Sequence, residues 1–179
     1  QNILGNSQLA GQSGISASAV CVGAIADEKN DKLYWFVRDP GSTPAFDGIF
    51  EYASGGSLVP VLIDTNVGTP NAVLKFDISK IITGINIIDD MLFWTDNQNE
   101  PKVISIPRSM DGTADTMTHT SFINDETLLE VPIEEEHITV IKKGPQGPPT
   151  VDLKSERTND SGKIYTGTMR ITSRPPTVT

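Results

Sequence analysis

Met91-Leu92-Phe93-Trp94-Thr95-Asp96 is the stretch whose reading decides the fold. In an extended chain successive side chains point to opposite faces. Phe93 and Thr95 then share one face and Leu92 and Trp94 the other, so both faces can pack against neighbouring layers. Asp89-Asp90 precede it in the manner of a hairpin turn, and Asp96 can accept hydrogen bonds from the turn amides that follow. Lys102–Ile106 continues as a third run, and Asp111-Gly112 suits a tight hairpin turn.

Working outward, the chain from Val20 to about Asn124 is a series of short apolar runs bounded by Gly, Asp, Asn and Pro. The runs are Val20–Ala26, Lys32–Val37, Gly48–Tyr52, Leu58–Ile63, Ile81–Ile88, Met91–Thr95, Lys102–Ile106 and Met117–Ile123. Runs of this length with such boundaries predict strands rather than helices. They fall into two sets of four. Each set contains a Leu-aromatic-Trp step, Leu33-Tyr34-Trp35 and Leu92-Phe93-Trp94, with an Asp two positions ahead (Asp31, Asp90) and a glycine in the preceding strand (Gly23, Gly84). Trp35 and Trp94 are therefore expected at equivalent second-strand positions. The two steps lie 59 residues apart (94 minus 35). Self-similarity at such a period points to blades or stacked modules, and radially repeated four-stranded antiparallel sheets make a β-propeller.

The second set resembles the YWTD-type propeller blade through Phe93-Trp94-Thr95-Asp96 and the Asp111-Gly112 turn; the first keeps the aromatic step but lacks the Thr-Asp pair. A wider resemblance spans about Ala19 to Pro149. Its blocks are Leu33-Tyr34-Trp35-Phe36-Val37, Ile81–Ile88, Leu92–Asp96 with Glu100-Pro101-Lys102, and Glu136–Lys142. In this order they look like the tail nozzle, or muzzle, virion proteins of crAss-like short-tailed phages. That resemblance implies a propeller-containing subunit in a ring around the DNA exit channel of the virion tail. It implies a role in assembly and DNA ejection, and no catalytic residues. The expected partners are the remainder of the same polypeptide, neighbouring copies in the ring and other phage tail proteins. DNA would be transient cargo, and no membrane partner is expected. Two alternatives stand beside it: a ligand-binding YWTD-type module of a cell-surface protein, and a propeller enzyme whose site lies in other blades.

The expected fold class is all-β: two four-stranded antiparallel blades of an incomplete β-propeller plus an extended C-terminal connector. Residues 1–18, rich in Gln, Asn, Ser and Gly, read as an arm or linker, and 19–127 as the two blades. Residues 128–149 read as a strand and Pro-rich connector, because Pro132, Pro145, Pro148 and Pro149 cannot donate ladder hydrogen bonds. Within it His137–Lys142 has the composition of a strand, and Gly144–Pro149 that of a stiff extended linker. Residues 150–179 read as a polar extension, possible start of another β domain, in which Lys163–Thr172 alternates like a strand in need of a partner.

Composition narrows the chemistry. Among 179 residues the formal charge is −9, which repels nucleic-acid phosphate and argues against direct binding. The first residue is Gln, and the expectation is a processed or truncated piece of a longer product. Cys21 is the sole cysteine, so no internal disulfide can form; its setting, Val20-Cys21-Val22, predicts a packed thiol in a strand. His119 and His137 with one Cys give no metal-ligand spacing, and no phosphate loop or nucleophile elbow occurs. Asp89-Asp90 are read as turn residues and Glu134–Glu136 as a solvated charge run. No catalytic, cofactor-binding or metal residues are assigned, and no cofactor is expected.

Overall fold

The computed structural model describes residues 14–53, 56–124 and 128–141 in full, and the backbone of 150–154 and 168–172. Calls on the sequence that fall elsewhere, including most of the 1–18 arm, the Gly144–Pro149 linker and residues 163–167, lie outside the described residues.

The first set of runs forms a four-stranded antiparallel sheet in sequential order: β1 (Val20–Asp27), β2 (Lys32–Asp39), β3 (Phe46–Ala53) and β4 (Leu58–Asp64). Turn chemistry explains the first connection. Asp27 accepts bonds from the Asn30 amide and side chain, and Asp31 takes a left-handed φ of 54°, which Asp tolerates better than most residues. Strand β3 is buried at six consecutive positions, Phe46 to Glu51, so both faces of this sheet are covered. A side chain at Gly48 would meet Ile63 Cδ1 at 2.8 Å and Phe50 Cε2 at 2.9 Å, which is why only glycine fits there.

The second set forms a three-stranded antiparallel sheet: β5 (Gly84–Ile88), β6 (Met91–Thr95) and β7 (Lys102–Ser105). Its turn, Asp89-Asp90, carries a φ of 52° at Asp89. The expected alternation holds: Leu92 and Trp94 are buried, Met91 and Phe93 half-buried, Thr95 exposed. Trp94 meets Phe36 of β2 edge to face, with ring centroids 5.5 Å apart and planes at 73°. Around that contact Val22, Ile49 and Leu62 of the first sheet and Leu92 and Ile104 of the second form one core. The first strands of the two sheets lie side by side, and the Ile82 amide donates to the Val22 carbonyl at 2.7 Å.

Several expectations need correction. The two tryptophans both sit on second strands, but on opposite faces. Trp94 is in the shared core, whereas Trp35 packs with Phe46, Phe50 and Ile63 on the far side of the first sheet and stacks on Tyr52. Among the described residues the second sheet has no fourth strand. Strand β7 runs straight into α1 (Ile106–Asp111), a single short helix with Pro107 in its first turn, which lies along β4. Asp111-Gly112 therefore ends a helix rather than turning a hairpin. Gly112 is needed for a different reason: a Cβ there would lie 2.1 Å from the Ser121 carbonyl oxygen.

The Met117–Ile123 run divides. Asp115 accepts bonds from the Met117 and Thr118 amides in a local turn that breaks the ladder. Beyond it, Thr120 covers the outer edge of β4. Its amide donates to the Ile63 carbonyl (2.9 Å) and its hydroxyl accepts from the Ile63 amide (2.8 Å). Only β8 (Ser121–Ile123) is strand, and it pairs antiparallel with β9 (Glu130–Pro132) instead of completing the second sheet.

The His137–Lys142 strand is also replaced. Residues Glu135–Ile138 form a one-turn helix, α2, after which Thr139 makes an isolated antiparallel bridge to Lys102. The Glu134 amide donates to His137 Nδ1 and the His137 amide to the Glu134 carbonyl, so Glu-x-x-His works as a cap. Acidic residues in a first helical turn are favourable, which is the local reason the Glu run begins a helix. Ile133 and Ile138 are buried in the shared core. Residues 128–141 thus belong to the body, and the connector expected from 128 does not leave it there; the first compact unit extends to Ile141.

The second compact unit, Lys142–Thr179, contains an antiparallel pair, β10 (Thr150–Lys154) with β11 (Thr168–Thr172), in register from Thr150↔Thr172 to Lys154↔Thr168. The strand expected within Lys163–Thr172 accordingly has a partner in its own unit.

Candidate functional site

The most organised polar chemistry surrounds residues 72–76, a segment outside any strand or helix that is nevertheless buried at Ala72, Val73, Leu74 and Phe76. Backbone buried without a ladder must find other partners. Here charged side chains supply them from both sides. Asp64, at the end of β4 and fully buried, accepts from the amides of Val73 (2.6 Å) and Leu74 (2.9 Å) through Oδ2, and from Asn66 through Oδ1 (2.9 Å). Asp47 of β3 accepts from the Phe76 amide at 3.0 Å and from Arg38 at 2.9 Å. From the second sheet, Lys102 Nζ donates to the carbonyls of Val73 (2.8 Å) and Leu74 (3.1 Å).

The wedge is closed by α2. Glu135 pairs with Lys75 at 2.5 Å and with Lys102 at 3.5 Å. Lys75 itself sits at a φ of 56°, an uncommon conformation for lysine that directs the chain between the two sheets. Burial would raise the Glu135 carboxyl, but the hydrogen bond from Lys75 and the charges of Lys102 and Lys75 hold it below its ordinary value. Burial also pulls Lys102 below the usual lysine range, against the attraction of Glu135 and Asp96. The arrangement is mechanical: a loop pinned by two carboxylates of one sheet and an ammonium of the other couples the sheets at their shared core.

Asp47 gives this lattice a pH signature. Burial pushes its carboxyl from 3.8 up to about 6, although Arg38 and the Phe76 amide pull the other way. A carboxyl raised in the folded state contributes stability that is present below about pH 4 and is lost as pH rises through about 6. The full difference across that window is on the order of 3 kcal/mol, of which about 1–1.5 kcal/mol falls between pH 5 and pH 7. Urea unfolding of the wild type and Asp47→Asn at pH 5 and pH 7 checks it. The wild type should lose stability toward pH 7 relative to the variant, and parallel behaviour of the two would refute the assignment. Asp39, Asp96 and Glu135, whose carboxyls are held below their ordinary values, remain ionised at both pH values.

The residues singled out in the sequence take structural places. The Thr65 amide donates to His119 Nδ1 (3.3 Å), so Nε2 carries the proton that goes to the Ile133 carbonyl (2.9 Å); Asp64 lies 3.5 Å from Nδ1. His137 caps α2 and lies against Phe122. The two histidines do different jobs and share no ligand. Asp89 and Asp90 form the β5–β6 turn, as expected. Of the Glu134–Glu136 run, Glu135 is not merely solvated but part of the Lys75–Glu135–Lys102 group. Cys21 lies in β1 as expected but is exposed. A bulge between Cys21 and Gly23 shifts the alternation, so Val22 turns inward in its place.

Sequence reasoning gives no role to Lys102, Asp64 or Asp47: it reads Lys102 only as the start of a strand run, and Asp47 with Gly48 as a turn, whereas Asp47 lies inside β3. Their one legible signal was a charged residue inside or at the end of an apolar run. Among the described residues no group of three or more His, Cys, Asp or Glu side chains is arranged to hold a metal ion. No described helix is long and apolar enough to cross a membrane. A cleft of about 410 Å³ between α1 and the β8–β9 ribbon is lined by Arg108, Asp111, His119, Phe122 and Glu130, with the Arg108 guanidinium 5.0 Å above the Phe122 ring.

Fold and site together define a mostly β protein whose first unit has two antiparallel sheets sharing one core, joined by a largely buried charge lattice. No family model, no curated protein and no solved structure matches the chain.

Proposed function

We propose that this chain is a non-enzymatic structural element of a crAss-like phage tail nozzle, contributing two neighbouring propeller blades to a ring around the DNA exit channel. The observation that carries the reading is the like-to-like order of the two sheets. First strand lies beside first strand (β1, β5), the second strands meet through Phe36 and Trp94, and α1 takes the outermost place next to β4. Neighbouring propeller blades stack in this radial order.

A second feature agrees with it. By alternation the outer face of the second sheet presents Gly84, Asn86, Ile88, Met91, Phe93, Thr95, Val103 and Ser105, without a single charge. In a chain that is 21% charged, such a face suits another apolar sheet better than nucleic acid or a charged ligand.

The ligand-binding YWTD reading is favoured by one detail. Asp96 accepts from the Gln98 and Asn99 amides and from the Asn99 side chain, the turn chemistry its Trp-Thr-Asp sequence suggests. Cryo-electron microscopy of phage particles purified from cells that express this chain separates the readings. Density for residues 20–123 in a ring at the tail exit is the expected result. A particle that lacks the chain, with the protein found instead on the surface of cells, would overturn the nozzle reading in favour of the alternative.

A further inference from the structure

We propose that residues 130–141 form an ion-latched strap that opens from the body as a unit, with Lys75–Glu135–Lys102 as its latch. The strap runs from β9 through α2 to Ile141. Its apolar hold on the core consists of two buried side chains, Ile133 and Ile138. Its polar hold includes the following contacts. The Ile133 amide donates to the Thr120 carbonyl at 2.9 Å, His119 reaches the Ile133 carbonyl, and the Val140 amide donates to the Pro101 carbonyl at 2.9 Å. To these are added the β9 ladder to β8 over Glu130–Pro132, the Thr139 bridge to Lys102, the His137 ring against Phe122, and Glu135, shared by two lysines.

The rest of the body does not depend on these contacts. Phe36, Trp94, Leu62, Leu92 and Ile49 pack together between the sheets without the strap, and Asp47 and Asp64 pin the 72–76 wedge from the first sheet. A segment held by few apolar contacts on a well-packed body is the kind that opens sub-globally.

One arm of the latch differs from the rest of the lattice in its access to solvent. The side chains of Glu135 and Lys75 are 26% and 35% exposed, whereas that of Lys102 is 2% exposed and those of Asp47 and Asp64 are fully buried. Salt therefore screens the Lys75–Glu135 arm more than the buried carboxylates under the wedge. When Glu135 leaves, Lys102 keeps its two hydrogen bonds to the Val73 and Leu74 carbonyls. What opening uncovers is the outer edge of β7 at Lys102, where Thr139 now bridges.

Hydrogen–deuterium exchange on the full chain tests this, in the wild type and in Glu135→Gln. Peptides covering residues 130–141 should exchange roughly 10- to 100-fold faster in the variant, the equivalent of one charge-assisted hydrogen bond, while β2 and β6 keep wild-type rates. In the wild type, added salt should accelerate the same peptides and no others. Unchanged exchange over 130–141 in the variant would overturn the latch. Equal acceleration in β2 and β6 would overturn the separate unit. A wild-type strap indifferent to salt would do the same for the ionic mechanism, whether or not the variant folds.

Discussion

Replacing Lys102 by methionine should destabilise the fold by roughly 3–5 kcal/mol, the cost of removing one partner from a buried charged group. The lysine side chain is 2% exposed, and its ammonium satisfies the carbonyls of Val73 and Leu74 as well as Glu135. Methionine fills much of the same volume, so packing is nearly conserved and the loss isolates the polar role. Two carbonyls would remain buried without a donor, each costing on the order of 1–3 kcal/mol. Urea unfolding followed by tryptophan fluorescence measures the change. A variant within 1 kcal/mol of wild type would mean that water reaches Val73 and Leu74, and that the wedge is not sealed as described.

Trp94→Ala should cost a similar amount, about 3–5 kcal/mol, because the indole is 3% exposed and lies at the junction of the two sheets. Trp35→Ala is the informative control. Trp35 is half-buried on the far face of the first sheet and stacks on Tyr52 at 6.3 Å, so its removal should cost clearly less. Equal losses at the two positions would contradict the placement of only one of them in the shared core. Phe36→Ala combined with Trp94→Ala should be non-additive, since the two rings touch edge to face and empty the same cavity.

The strands of both sheets were legible for a local reason. Alternation of apolar and polar residues fixes which side chains share a face, and Asp at the turns supplies the left-handed backbone seen at Asp31 and Asp89. Leu92 and Trp94 point inward as their spacing requires, and the first four runs pair in sequential order as short connections dictate. The period also misled. The Leu-aromatic-Trp steps match in sequence, yet Trp35 and Trp94 face different clusters. The residue that partners Trp94 is Phe36, one position beyond the repeat.

By itself, then, the amino-acid sequence determined that the chain would be built from short antiparallel strands, where most of them begin and turn, and which face of each is apolar. Tertiary structure decided which edge each later segment would join. Thr120 seals β4 of the first sheet rather than extending the second, because two hydrogen bonds to Ile63 were available there and α1 had taken the place after β7. Tertiary structure also created the charge lattice. Lys102 reaches Val73 across 29 positions, and Lys75 reaches Glu135 across 60. No local pattern encodes such pairings. Each exists because folding removes the 72–76 backbone from water, and the nearest groups able to satisfy it are side chains brought there by two different sheets.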